Sequence, residues 1–151
     1  MLESFDCGDT ALPGTLVKQI TFRSVIAGNL KRLSIGGRVV DYGMRSVEDE
    51  YPVSESVAEL SVASLDISEE RIIKIIKLYP NLRKLDVSRT KVTGVAIKDF
   101  VNMGITWVKC NDCYYISPDA VEYARGNGVE VEFTFPSRTA SFRDSAFAAA
   151  F

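Results

Sequence analysis

The stretch PNLRKLDVSRT, residues 80–90, sets the expectation for the whole 151-residue chain. Its apolar residues stand at Leu82, Leu85 and Val87, and a small polar residue follows at Thr90. Apolar positions two residues apart suit one face of a short strand, and the polar residue suits a turn directly after it. The stretch therefore predicts a strand that leads into a turn.

The same frame occurs five times along the chain. Its copies begin at Leu2, Leu30, Val57, Leu82 and Ile105. These starts lie 28, 27, 25 and 23 residues apart, inside or near the period of about 20 to 29 residues known for repeats with one strand per unit. A degenerate sixth strand over 129–135 alternates apolar and polar residues with period two. The frame is weakest in the second copy, where Arg38 follows two glycines at the place of Thr90, and in the third, where Leu65 stands there.

The second half of the unit predicts a helix in three of the copies. Ser68, Thr93 and Ser117 each follow an aliphatic residue and are suited to cap a helix N-terminus. They lie 25 and 24 residues apart, which matches the strand period. One face of each helix is apolar and is expected to pack on the strands, through Ile72, Ile75, Ile97, Phe100, Val121 and Ala124. After residue 40 the segments 42–44 and 48–52 favour a loop.

The fifth copy carries a cysteine at its ninth position. Residues 105–119, ITWVKCNDCYYISPD, place Cys113 there, and this unit resembles the cysteine-containing leucine-rich repeats of F-box proteins. The resemblance covers 1–135 and is strongest over 57–128. It implies an α/β fold in which 1–135 form one leucine-rich-repeat solenoid of about five repeats and a terminal strand, with a curved parallel sheet and outer helices. Residues 136–151 form a separate C-terminal tail.

The resemblance also implies a function. In F-box proteins of this type the repeats recruit a protein substrate on their concave face, while the F-box joins the ubiquitin-ligase core. No F-box is recognisable in this chain and no capping segment precedes its first unit, so we expect a fragment of a longer protein; a truncated gene model or a short adaptor-like relative are the alternatives. The expected function is the substrate-binding part of an F-box-like ubiquitin-ligase receptor. The alternative is a structural or assembly adaptor unrelated to ubiquitin.

Composition argues against several other classes of protein. The chain has no histidine, which removes histidine-dependent catalytic triads and imidazole metal sites. Its net charge of -2 lacks the basic excess of a nucleic-acid-binding protein. There is no signal peptide and no apolar run near eighteen residues, so no membrane is expected, and the compartment is expected to be the cytoplasm and/or the nucleus. We expect no enzyme, cofactor or metal site.

Cys110 and Cys113 form a Cys-x-x-Cys pair, the spacing of redox dithiols and of half a zinc site. The repeat frame gives both cysteines structural positions. Cys110 stands at the inward strand position of Val87, and Cys113 stands at the turn position of Thr90. A zinc site needs further ligands, and only Cys7 remains. The pair is interpreted as part of the scaffold, and a thiol oxidoreductase is the enzyme alternative.

The candidate binding residues lie between the inward residues of each strand, where they project onto the concave face. One row holds Ser4, Arg32, Glu59, Lys84 and Trp107, and the next holds Asp6, Ser34, Ser61, Asp86 and Lys109. Trp107 is the chain's single tryptophan and is expected to be exposed among charged neighbours, which is the composition of an interface hot spot. The predicted partner-binding residues are Trp107, Lys84, Lys109, Asp86, Arg32 and Arg89.

The sequence leaves more than one interpretation open for two features, Trp107 and the C-terminal tail. Trp107 either binds a partner, folds over the edge of the solenoid, or packs under the C-terminal tail. The tail, 136–151, contains Phe147 and Phe151 one helical turn apart. It either caps the open end of the solenoid, stays disordered, or binds a partner.

Overall fold

The computed structural model describes residues 2–8, 14–37 and 51–136, and these form an α/β structure with one parallel sheet. The six strands are β1 (Ser4–Asp6), β2 (Arg32–Ser34), β3 (Glu59–Ser61), β4 (Lys84–Asp86), β5 (Trp107–Lys109) and β6 (Glu130–Glu132). The four helices of the described residues are α1 (Gly14–Ile26), α2 (Glu69–Lys77), α3 (Gly94–Asn102) and α4 (Pro118–Gly126).

The strands lie in the sheet in the order in which they occur along the chain, β1 to β6. All five pairs are parallel and in register, so the middle residue of each strand faces the middle residue of the next. The first and third residues form two further rows across the sheet. Because side chains alternate along a strand, both of these rows lie on the face opposite the middle row. The strand positions predicted by the frame of residues 80–90 are confirmed.

The core lies between the sheet and the helices. The first, fourth and sixth positions of the second to fifth frames are all buried, as in the frame of Leu82, Leu85 and Val87. The apolar helix face is buried with them, as predicted. The helices therefore cover the sheet face that carries the middle row, and the other face, hereafter the open face, carries the first and third residues of the strands. The first frame is less complete, because Leu2 is 39% exposed.

The three predicted helix starts are confirmed by hydrogen bonds. Ser68 Oγ accepts from the backbone N–H of Arg71, and Ser117 Oγ accepts from that of Ala120. Thr93 Oγ1 accepts from the N–H of Val95 at 3.3 Å. These bonds satisfy N–H groups that have no partner inside the first turn of a helix.

The turns after the strands share one backbone feature. The third residue after each of β2 to β5 has a positive φ: 97° at Gly37, 63° at Ser64, 55° at Arg89 and 54° at Asp112. The backbone N–H of each donates to a carbonyl of the following unit, over 2.7 to 3.2 Å. The inter-strand ladder thus continues past the strand ends. In the first of these turns a side chain would also collide with the neighbouring backbone, since a Cβ on Gly36 would meet the carbonyl oxygen of Ala63.

Helix α1 is the element that the sequence pattern did not predict. Its buried face includes Thr21 and Ser24 beside Val17, whereas Phe22 and Ile26 are 58% and 70% exposed. Thr21 Oγ1 donates to the carbonyl of Val17 at 2.8 Å, which satisfies the buried hydroxyl. Apolar periodicity does not reveal a helix when the buried positions are polar and apolar ones face outward.

Several expectations fall outside the described residues. These are the loop predicted over 42–44 and 48–50, the turn positions of Thr10 and Arg38, and the tail beyond residue 136. The described residues include no helix that combines the length and the apolar character needed to cross a membrane.

Candidate binding site

A groove of about 440 Å³ crosses the open face over strands β1 to β5. Its side walls are the two outer rows of the strands, and its lining comprises Ser4, Phe5, Asp6, Arg32, Leu33, Ser34, Glu59, Leu60, Ser61, Lys84, Asp86, Trp107 and Lys109. The register of the sheet therefore brings five of the six predicted partner-binding residues into one groove. The sixth, Arg89, is not part of its lining.

Trp107 lies in the row of first strand residues, between Lys84 of β4 and Glu130 of β6. Its side chain is half-buried rather than exposed as predicted, because a strand flanks it on either side. Within the described part of the chain its indole N–H makes no hydrogen bond. The other members of this row, which include Arg32 and Glu59, are polar or charged. A large aromatic side chain at this place contributes little to the core on the opposite face of the sheet.

The row of third strand residues contains acceptors that shape the turns. The N–H of Gly8 donates to Asp6 Oδ1 at 2.8 Å, and the N–H of Ser88 donates to Asp86 Oδ1 at 2.9 Å. Ser61 Oγ accepts from Ala63 N–H over a longer 3.4 Å. A short acceptor side chain two residues before a free N–H is a common way to stabilise a turn. Asp86, predicted as a binding residue, thus also supports its own turn.

Lys109 belongs to this row but cannot support its turn in the same way, because an ammonium group does not accept hydrogen bonds. The corresponding backbone N–H, that of Asn111, donates instead to Ser88 Oγ in the preceding turn, at 3.1 Å. In the turn after β5 the N–H of Asn111 therefore has an acceptor that residue 109 does not supply. The Lys109 side chain makes no hydrogen bond or ion pair within 2–8, 14–37 and 51–136, so it is available for a ligand.

Lys84 and Glu59 neutralise one another in part. Lys84 Nζ lies 3.7 Å from Glu59 Oε1, and the two side chains are 58% and 39% exposed. Exposed pairs of this kind contribute only about 0 to 1 kcal/mol. A ligand can therefore displace the pair at small cost.

Arg89 has a different neighbourhood from the groove. Its backbone forms the left-handed turn after β4, and its Nε donates to Ser64 Oγ at 2.8 Å. Nearby, Lys91 Nζ and Asp66 Oδ1 form an ion pair of 2.9 Å. Arg89 thus lies on the surface of the turns, beside the groove's edge rather than within it.

The cysteines are buried thiols. Cys110 and Cys113 are 0% and 1% exposed, and Cys113 Sγ donates to the carbonyl of Val87 at 3.2 Å. None of the three cysteines forms a disulfide bond. Burial raises the pKa of Cys110 to about 12 and also raises the pKa of Cys113. A reactive thiol needs the opposite shift and an exposed sulfur. Among the described residues no group of three or more potential ligands is placed to hold a metal ion.

A smaller cavity of about 230 Å³ lies at the C-terminal ends of α2 and α3. Its lining is mostly apolar and includes Ile76, Tyr79, Leu82 and Met103. The Tyr79 hydroxyl is buried without a hydrogen-bond partner among the described residues, and burial raises the pKa of Tyr79. The sequence pattern gave no sign of this cavity.

No family model matches the sequence, and no curated protein is similar to it. The candidate site therefore rests on the geometry of the open face. What sequence reasoning missed there is the use of side chains for the scaffold: Asp86 and Ser88 support turns, and Glu59 pairs with Lys84. The spacing of Asp86 two residues before Ser88 is the one signal that was present in the sequence.

Proposed function

We propose that this chain is a leucine-rich-repeat solenoid whose open face recognises a segment of a partner protein. The observation that carries the proposal is Trp107, half-buried on the wall of a groove that crosses five strands. Aromatic residues in partly desolvated grooves are the usual anchors of protein interfaces. The recurrence of a strand every 23 to 28 residues and the bond from Cys113 to Val87 support the repeat assignment.

The more specific proposal is the substrate-binding part of an F-box-like ubiquitin-ligase receptor. It rests on the resemblance of residues 105–119 to cysteine-containing repeats. Co-purification with the ligase's F-box-binding adaptor is expected for a longer product of the same gene that carries an F-box, and not for residues 1–151 alone. If an F-box-bearing product fails to bind that adaptor, an assembly adaptor unrelated to ubiquitin becomes the better proposal.

Recognition itself is tested by selecting peptides from an unbiased random library on the immobilised chain. Because the chain has one tryptophan, a shift in its fluorescence on peptide binding reports on the groove directly. Trp107→Ala is expected to weaken the selected peptides about tenfold or more, as loss of an interface anchor does. Val95→Ala is the matched control, since Val95 is an apolar residue 69% exposed on α3. Peptides that bind both variants equally would contradict the proposal.

A further inference from the structure

The groove presents hydrogen-bond donors that have no partner within the protein. Among its charged or aromatic lining residues, Arg32, Trp107 and Lys109 make no side-chain hydrogen bond or ion pair in the part of the chain that the structure describes. Each of these side chains offers N–H groups only. Unused donors on the wall of a groove favour a ligand rich in acceptors.

The acidic side chains of the same groove already have partners, each at one carboxylate oxygen. Asp6 and Asp86 each accept a backbone N–H of their own turn, and Glu59 faces Lys84. A basic ligand would therefore share these carboxylates with contacts that are already present. An acidic ligand meets Arg32 and Lys109 without breaking anything, and charge-assisted hydrogen bonds are the stronger kind.

The positions of the two free cations set a spacing. Arg32 is on β2 and Lys109 is on β5, three strand steps away. With about 4.8 Å per step, the lateral separation is about 14 Å. Four residues of extended chain span about 13 Å, and residues four apart in an extended chain point to the same side. The long side chains of Arg32 and Lys109 cover the offset of two residues along the strands.

Strand β6 limits the acidic character of the ligand. Glu130 and Glu132 extend the two outer rows just beyond Trp107 and Lys109. An acidic residue placed past Lys109 would meet both carboxylates, and like charges at short range repel. The groove therefore suits two separated acidic residues and disfavours a long acidic run.

We propose that the groove binds an extended peptide segment with two acidic side chains four residues apart, one at Arg32 and one at Lys109, and an apolar residue against Trp107. This inference rests on the proposed function and names the chemistry of its partner. The residue that follows the second acidic position toward β6 is neutral or basic.

The sequences of the peptides selected on the chain test this directly. The expected result is enrichment of Asp or Glu at two positions four apart, in peptides that shift the fluorescence of Trp107. Synthetic variants of one such peptide, with the acids moved to two apart or replaced by lysines, are expected to bind at least tenfold more weakly. Arg32→Ala and Lys109→Ala should each weaken the parent peptide about three- to tenfold, whereas Lys74→Ala on α2 removes an equal charge without effect.

The outcomes separate the two proposals. Peptides that depend on Trp107 but carry no acidic pair, or carry it at another spacing, would overturn this inference and leave the recognition function standing. Enrichment of basic residues would overturn it in the same way. Selected peptides that do not depend on Trp107 would overturn both.

Discussion

At the scale of single residues, the most informative position is Lys109, because the turn that follows it differs from the turns after three of the other strands. In the turns after β1, β3 and β4 a short acceptor side chain serves its own turn, but in the turn after β5 the acceptor is Ser88 of the neighbouring turn. The N–H of Asn111 has an acceptor although position 109 is a lysine, because Ser88 Oγ supplies it. One hydroxyl group therefore joins two neighbouring turns.

This link predicts a compensating pair of substitutions. Ser88→Ala leaves the N–H of Asn111 without its acceptor and is expected to lower the free energy of unfolding by about 1 kcal/mol. Lys109→Asp supplies an acceptor two residues before Asn111, as Asp86 does for Ser88, and should restore much of that loss. Urea unfolding of the two single variants and the double variant measures the coupling.

The control is Lys109→Ala, which removes the lysine without supplying an acceptor and should not rescue Ser88→Ala. Equal stability of the two double variants would show that Ser88 does not act through this turn.

The raised pKa of the Cys110 thiol predicts how the stability of the protein depends on pH. Because burial raises its pKa from the ordinary 9.0 to about 12, the thiol favours the folded state equally at all pH values below about 9. As pH rises from there towards 12, the unfolded state ionises first and stability is lost. Cys110→Val, which copies Val87 at the corresponding position, removes this dependence.

Urea unfolding at pH 8 and pH 10.5 measures the effect. Between these two pH values the free energy of unfolding of the wild-type protein is expected to fall by about 1 to 2 kcal/mol more than that of Cys110→Val. Other groups titrate in the same pH range, so the contribution of Cys110 is the difference between the losses of the two proteins. An identical loss in both would show that the thiol ionises in the folded state as easily as in water.

At the scale of elements, the strands and three of the helices were predictable because their signals are local. A strand needs only alternating apolar positions, and a cap such as Ser117 needs only its place before the helix. Helix α1 was not predictable, since Thr21 and Ser24 occupy buried positions that the pattern reserves for apolar residues. The sequence already placed Glu59 beside Lys84 in one row, but the distance of 3.7 Å between Lys84 Nζ and Glu59 Oε1 comes from the structure.

The start of α3 is expected to tolerate substitution less well than the start of α4. Thr93 Oγ1 accepts from the N–H of Val95 and also donates to Glu69 Oε1 at 2.8 Å, so it joins α3 to the start of α2. Ser117 caps its helix without such a bond among the described residues. Thr93→Ala should cost about 1 to 2 kcal/mol in thermal or urea unfolding, and Ser117→Ala about 1 kcal/mol or less.

Thr93→Ser and Glu69→Ala divide the cost between the two bonds. The first keeps the hydroxyl and should be nearly neutral, while the second keeps the cap and removes the link between the helices, in which Glu69 Oε1 accepts both the hydroxyl and the backbone N–H of Thr93. If Glu69→Ala has no effect in the wild type but Thr93→Ala retains its full cost, the cap alone accounts for the loss.

At the scale of the whole molecule, the recurrence of the frame predicted more than any single motif did. The frame puts Arg32, Lys84 and Trp107 in one row, because they stand at the same frame position and the parallel strands pair in register. It did not predict which of these side chains would remain free. That depends on partners such as Glu59 and Ser88, whose distances follow from the stacking of neighbouring units.

Serial stacking also predicts how the molecule loses structure. Within the described residues every strand pairs only with its neighbours in sequence, so β1 and β6 each have one strand partner there. Leu85 is fully buried in the interior strand β4, whereas Val131 is partly buried in the edge strand β6.

Leu85→Ala should cost about 2 to 5 kcal/mol and lower amide protection throughout the sheet, because it leaves a cavity between units. Val131→Ala should cost less and lower protection mainly in β5 and β6. Native-state hydrogen exchange, read strand by strand, distinguishes the two patterns. Equal loss of protection in β2 and β6 after Val131→Ala would show instead that the sheet unfolds as one cooperative unit.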